Sequence, residues 1–153
     1  MVRVSKVMSA DVPTFGWESK IGDAAKLLAK EGSGCAVIVN NNKLIGIVTE
    51  LDFVRKVISK GKSFKEPIID VMNYPVTFMT PNMKLDEALK IIDTKGFKRY
   101  PVVENDEIVG LVTKKDVINS ISDNLKFHRN IQNIVLVLFV LFEVLFFMFS
   151  IFF

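Results

Sequence analysis

Residues 46–52 read GIVTELD and residues 110–116 read GLVTKKD. A glycine, a valine, a threonine and an aspartate recur in place 64 positions apart, and the repetition extends well beyond the heptapeptide. Shifted by 64, Val7-Met8 falls on Val71-Met72, Val12 on Val76, Lys20 on Lys84, Ala24 on Ala88, Lys26 on Lys90, Gly32 on Gly96, Val39 on Val103 and Asn41 on Asn105. Roughly a quarter of positions 4–57 are identical without a gap, as expected of one structural unit written twice. A unit of about 55 residues is too small for a good core of its own. Two stacked units would bury each other's sheet faces. With 153 residues, half of them hydrophobic, the chain is long and apolar enough for one such pair.

Each copy reads in the same order. SKIGDAAKLLAKEG puts Ile21, Ala24, Ala25 and Leu28 on one helical face with Gly32 as the stop; LDEALKIIDTKG does the same with Leu85, Ala88, Leu89, Ile92 and Gly96. CAVIV and YPVVE are strand-like runs, NNN and END supply turn chemistry, and KLIGIVT and EIVGLVT return as second strands. ELDFVRKVISKG and KKDVINSI then leave as helices. A short apolar segment ending in Val12 or Val76 precedes each unit. The spacing predicts a first repeat over 1–60, a linker over 61–67 (GKSFKEP), a second repeat over 68–125 and a tail over 126–153.

These motifs resemble a tandem pair of cystathionine-beta-synthase (CBS) domains, the arrangement called a Bateman module. KVMSADVPTF and SKIGDAAKLLAKEGSGCAVIVNNNKLIGIVTELDFV carry the resemblance in the first copy. DVMNYPVTFMTPNMKLDEALKIIDTKGFKRYPVVENDEIVGLVTKKDVI carries it in the second, and the tail lies outside it. The expected fold is α/β: a pseudo-twofold pair of CBS units, each a short strand, a helix, two strands and a helix, with a C-terminal hydrophobic helix added. The resemblance implies a regulatory, signal-transducing module rather than an enzyme. Its ligand would be an adenine nucleotide (AMP, ADP or ATP) or, as a variant, S-adenosylmethionine, with no further cofactor. It also implies a homodimer through the surface helices and an effector protein that reads the change on binding.

Thr-x-x-Asp ahead of an apolar helix is first of all a capping-box pattern, with Thr49 accepting from the amide of Asp52 and Thr113 from that of Asp116. The same geometry suits a ligand. A strand that ends where a helix begins presents free amides and a positive dipole end, where a phosphate fits. The threonine hydroxyl can bond a phosphate oxygen, and the aspartate can accept from both ribose hydroxyls. In the family it resembles, this stretch holds adenosine ligands in that way, which points to Thr49, Asp52, Thr113 and Asp116. The resemblance further implies an adenine pocket near Ser9, Asn73, Val12 and Val76, with Val37 and Pro101 on the strands.

The copies differ where phosphates would lie. The second has Lys98 and Arg99 before its strand where the first has Gly34 and Cys35. In related modules such basic residues reach phosphates held by the other repeat. Lys98 and Arg99 would then serve the pocket of Thr49 and Asp52, and the pocket of Thr113 and Asp116 would rely on Lys114 and Lys115. An exposed basic loop is the plainer account of Lys98 and Arg99.

Other chemistries find little support. His128 is the only histidine, which removes histidine triads and histidine metal clusters, and no Cys-x-x-Cys, Walker A loop or Gly-x-Gly-x-x-Gly occurs. Cys35, the only cysteine, sits in an apolar run and reads as a small core residue. The net charge of +3 is spread among acids, so nucleic acid is not an expected partner unless the lysines gather on one face. The opening MVRVSKVMSADVP has no apolar stretch of signal-peptide length, so no secretory signal is expected.

Residues 134–153, IVLVLFVLFEVLFFMFSIFF, are interrupted only by Glu143 and Ser150. As a helix they would span about 30 Å, the thickness of a hydrocarbon core. A central acid costs about 2.5–3.5 kcal/mol on insertion scales and each central apolar residue returns about 0.3–0.6, so the apolar majority outweighs Glu143. Lys126, His128 and Arg129 lie just upstream. The expectation is a single transmembrane anchor over 134–153 that leaves the repeats on the cytoplasmic face of the cell membrane. The contrasting reading is a ligand-free, membrane-tethered scaffold in which the heptapeptides only cap helices.

Overall fold

A computed structural model describes residues 2–31 and 34–152 of the chain. Met1–Val117 form one compact unit and Ile118–Phe153 a second. The first holds a five-stranded sheet in the order β1-β2-β3-β5-β4. β1 (Thr14–Gly16) runs parallel to β2 (Cys35–Asn40), which pairs antiparallel with β3 (Lys43–Thr49). β4 (Arg99–Glu104) and β5 (Glu107–Thr113) form the matching hairpin, and the two hairpins meet through Lys43 and Glu107.

The hairpins are copies down to their irregularities. Asn41, Asn42, Asn105 and Asp106 all have positive φ (48°, 61°, 51° and 67°), as a two-residue hairpin loop whose twist matches its strands requires. Asparagine and aspartate tolerate that backbone, which explains NN and ND at the tips. The register shifts between Ile38 and Val39, and again between Val102 and Val103.

Two amphipathic helices follow the sequence reading. α1 (Ile21–Glu31) buries Ile21, Ala24 and Leu28; α3 (Leu85–Lys95) buries Leu85, Ala88 and Ile92. Gly96 closes α3 in the left-handed conformation (φ 71°), its amide donating to the Ile92 carbonyl. Gly32, the expected stop of α1, lies outside the described residues. The short strand falls beyond Val12, at Thr14–Gly16, and its counterpart in the second repeat is a single parallel bridge between Met79 and Val102. After β3 the chain makes one helical turn, α2 (Glu50–Asp52), and continues as π-helix over Phe53–Ile58.

Hydrogen bonds related by the same shift of 64 join the repeats. The Val4 amide donates to the Met83 carbonyl (2.9 Å) and the Ile68 amide to that of Ser19 (2.7 Å). Ser9 and Leu111 exchange backbone bonds of 2.8 and 2.9 Å, as do Asn73 and Ile47 at 2.8 and 3.2 Å. The opening segment of each repeat thus crosses to the second hairpin strand of the other. One core cluster gathers Ile21, Ala24, Leu28, Ala36, Ile38, Val48, Phe53 and Val57 with Ile68 and Val71 from the second repeat. Another packs Cys35 and Val37 against Leu111, so the opposite face of the sheet is buried between repeats.

α4 runs without interruption from Lys114 to Phe152. No break separates the second repeat from the tail at residue 126, because residues 114–152 contain neither glycine nor proline to end the helix. Residues 134–142 are large apolar side chains, each 52–64% exposed, so the helix is apolar on every face there. Among the described residues, one helix, Lys114–Val144, is long and apolar enough to cross a membrane.

Candidate functional site

The heptapeptide glycines admit the crossing segments. A Cβ on Gly46 would overlap the Met72 sulfur, and one on Gly110 would stand 2.8 Å from the Met8 sulfur and 3.0 Å from the Ser9 carbonyl. Each glycine therefore makes room for the Val-Met segment of the other repeat, which is why both motifs recur together in the sequence.

At the strand ends the threonine and aspartate close on each other. The Thr49 amide and hydroxyl both donate to Asp52 Oδ2 (2.8 and 2.7 Å); those of Thr113 donate to Asp116 Oδ2 (3.0 and 2.6 Å). The Asp116 amide returns a bond to the Thr113 hydroxyl (3.1 Å), completing the capping box.

The boxes differ in their surroundings. Asp52 is only 8% exposed. Asn73 Nδ2 donates to its Oδ2 at 2.8 Å, and Lys56 Nζ lies 3.2 Å from its Oδ1. Lys56 also donates to the Val71 carbonyl (2.9 Å) and to Asn73 Oδ1 (2.6 Å). Burial alone would raise the Asp52 pKa, but hydrogen bonds from Thr49, Lys56 and Asn73 hold it below the ordinary value of 3.8. Asp116 is half-buried, and among the described residues only Thr113 meets its carboxylate. The positions matching Lys56 and Asn73 are Ser120 and Ser9.

A cavity of about 370 Å³ opens in front of Thr49. The first repeat contributes Gly34, Ile47, Thr49, Glu50 and Leu51; the second contributes Asn73, Pro75, Val76, Thr77 and Gly96 to Arg99. Gly34 has φ +67°, and a Cβ there would overlap the Arg99 guanidinium, so Arg99 lies directly on the first repeat's backbone. Burial pushes the neighbouring Cys35 thiol up to about 11, with Arg99 pulling the other way. The cavity offers apolar walls (Ile47, Pro75, Val76, Phe97), hydroxyl and amide groups (Thr49, Thr77, Asn73), two cations and one carboxylate (Glu50), a mixture with a net positive charge that suits a flat ring joined to an anion.

Of the residues singled out from sequence, the cavity brings together Thr49, Asn73, Val76, Lys98 and Arg99. Asp52 is buried behind Thr49 and does not line it, and Val37 and Pro101 are buried in their strands. Ser9, Val12, Thr113, Asp116, Lys114 and Lys115 belong to the pseudo-twofold position. There Ser9 pairs with Leu111, Val12 packs beside Cys35 and Val37, and the Lys114 amide donates to the Lys98 carbonyl at 2.9 Å. Lys114 is half-buried and Lys115 exposed. Phe97, Pro75, Thr77 and Lys56 escaped the sequence reading. Phe97 stands beside Lys98 and Arg99, and a large aromatic side chain next to a basic pair was the available signal.

Comparison with known proteins agrees with this architecture. A family model described as the CBS domain matches residues 4–59 and 68–123. An uncharacterized protein of Methanopyrus kandleri is 38% identical over 120 residues, covering 76% of this chain and 61% of its own length. An inosine-5'-monophosphate dehydrogenase of Thermoplasma acidophilum is 32% identical over 117 residues, but the match covers 76% of this chain and only 23% of that enzyme. The crystal structure of a CBS-domain containing protein from Agrobacterium tumefaciens superposes with a TM-score of 0.69 at 27% identity, covering 78% of this chain and 98% of that one. The internal repeat, the crossed segments and these matches agree: the chain belongs to the CBS domain family and carries two copies of the domain.

Proposed function

We propose that this chain is a regulatory module that senses an adenine nucleotide between its two CBS repeats and is tethered to a membrane by its C-terminal helix. The cavity in front of Thr49 carries the reading, because one repeat supplies its phosphate-competent strand end and the other supplies Lys98 and Arg99. The Thr49 amide is held by Asp52 and the Glu50 amide by the Gly34 carbonyl, so a phosphate beside Thr49 would be met chiefly by the Lys98 and Arg99 side chains, and the base would stack among Ile47, Val76 and Phe97. AMP, ADP and ATP share those features; S-adenosylmethionine offers the cations one carboxylate in place of a phosphate and adds the positive charges of its ammonium and sulfonium groups. Ligand held by both repeats would change the angle between them. Leu51, Val54 and Ile58, more than half exposed along the helix after β3, form the apolar surface through which two modules would pair. The continuous apolar surface of residues 134–142 supports the tether, and Lys126 and Arg129 upstream favour repeats on the cytoplasmic side.

Arg99→Ala tests the assignment. The variant is expected to bind ATP tenfold or more weakly while losing little affinity for adenosine, since charge-assisted bonds to phosphate are worth roughly 1.5–3 kcal/mol. Equal losses for the two ligands, measured by calorimetric titration, would show that Arg99 touches no phosphate. A second reading, a ligand-free tethered scaffold, is favoured by the closed capping boxes, which account for the heptapeptides without any ligand. It requires that adenine nucleotides leave the parent chain's stability unchanged.

A further inference from the structure

The two motif aspartates are alike in sequence and unlike in their partners. Asp52 Oδ2 receives the Thr49 amide, the Thr49 hydroxyl and Asn73 Nδ2, and its Oδ1 faces Lys56 Nζ. Lys56 is in turn fixed by the Val71 carbonyl and Asn73 Oδ1, so carboxylate, lysine and amide close a ring that spans both repeats. Oδ2 is saturated by three donors, Oδ1 faces the Lys56 ammonium, and the carboxylate lies behind the cavity wall. Asp116 has no such ring, because serines stand where Lys56 and Asn73 would be needed. Its Oδ2 meets Thr113, and among the described residues no cation approaches it.

We infer that Lys56 determines which part of the ligand each repeat reads. By holding Asp52 against Asn73 it withdraws that carboxylate from sugar recognition and leaves ribose hydroxyls to Asp116 alone. The cavity of Thr49 then recognises base and phosphate, and only the pseudo-twofold position distinguishes ribose from 2'-deoxyribose. A ribose hydroxyl offered to Asp52 would have to reach behind Thr49 and compete with an ammonium ion for Oδ1, a neutral donor against a charged one. This assignment rests on the adenine-nucleotide reading above.

The test titrates the full 153-residue chain in detergent micelles with AMP and with 2'-deoxy-AMP, using Asp116→Ala to remove ribose reading at the pseudo-twofold position, so that any remaining preference belongs to the Thr49 cavity. The two nucleotides should bind that variant within about twofold of each other, whereas a lost hydrogen bond to a charged acceptor would separate them by tenfold or more. A tenfold preference for AMP that Asp52→Asn then abolishes would overturn the assignment, and this arm needs no change at Lys56. Adding Lys56→Ser, which copies Ser120, or Lys56→Met frees Oδ1, and a severalfold preference for AMP should appear in a variant that still melts cooperatively. Equal affinities in both variants would show that Lys56 does not set the selectivity. If neither nucleotide binds the parent chain, the nucleotide reading fails and this assignment falls with it. If both bind the parent but the preference stays in the Thr49 cavity, only the role of Lys56 fails.

Discussion

Asp52→Ala is expected to cost about 3 kcal/mol of folding stability, against about 1 kcal/mol for Asp116→Ala. The smaller figure is the usual cost of losing a helix cap, and Asp116 does little more than cap. Asp52 also neutralises Lys56 and receives Asn73, so its removal leaves an ammonium ion and a carboxamide without their partner. That cost falls on the joint between repeats, because Lys56 belongs to the first and residues 71–73 to the second. Thermal melts of the two variants should therefore differ by several degrees, with Asp52→Ala the lower. The same network sets a pH dependence. The folded pKa of Asp52 lies below its ordinary value of 3.8, so the stabilisation is complete above that value. It is lost as pH falls through the lower folded pKa. Acid unfolding of the parent should accordingly begin below about pH 4, and Asp52→Asn should flatten that limb of the profile. Equal costs for the two alanine variants would mean that the ring around Asp52 contributes nothing beyond a cap.

Removing residues 134–153 is expected to change the solution behaviour of the chain completely. The parent should sediment with membranes and stay there in high salt or carbonate, because insertion of an apolar helix is not screened by ions. The truncated chain should be soluble without detergent and still bind nucleotide, since every residue assigned to the site lies at or before Asp116. Glu143→Leu should remain in the membrane, with insertion made more favourable by about 3 kcal/mol. A fall in oligomer size in that variant would show that Glu143 pairs with a neighbouring helix. A parent chain soluble without detergent would contradict the tether and place the tail inside an assembly.

Much of this architecture is legible in the sequence, because it is local or because it is repeated. The positive-φ hairpin tips follow from NN and ND, and the Gly96 stop from its place after an amphipathic run. The repeat itself implies two units that share a core. What crosses between units is harder to read. The sequence offers Gly46 as a close approach of backbones but not the partner, which turns out to be Met72 from the other repeat. It offers Asp52 and Lys56 as an i,i+4 pair, a pattern that ordinarily means a solvated helix face. Only the crossing of residues 71–73 under that helix buries Asp52, half-buries Lys56 and gives Lys56 its remaining partners. Lys98 and Arg99 stand out only because the chain holds two copies: a basic pair in one and Gly34-Cys35 in the other mark an asymmetry that a single copy could not reveal.

An adenine nucleotide held in the cavity between the repeats should stabilise the fold, which a thermal-shift measurement of the 153-residue chain in detergent against AMP, ADP, ATP and S-adenosylmethionine reads without mutation. A nucleotide at 100 times its dissociation constant should add about 2.7 kcal/mol, raising the melting temperature of a unit this size by roughly 10 °C. That shift is expected for at least one of the three nucleotides, and a smaller one in Arg99→Ala. No shift with any of them at millimolar concentration, in a chain that melts cooperatively, would contradict nucleotide binding in the cavity.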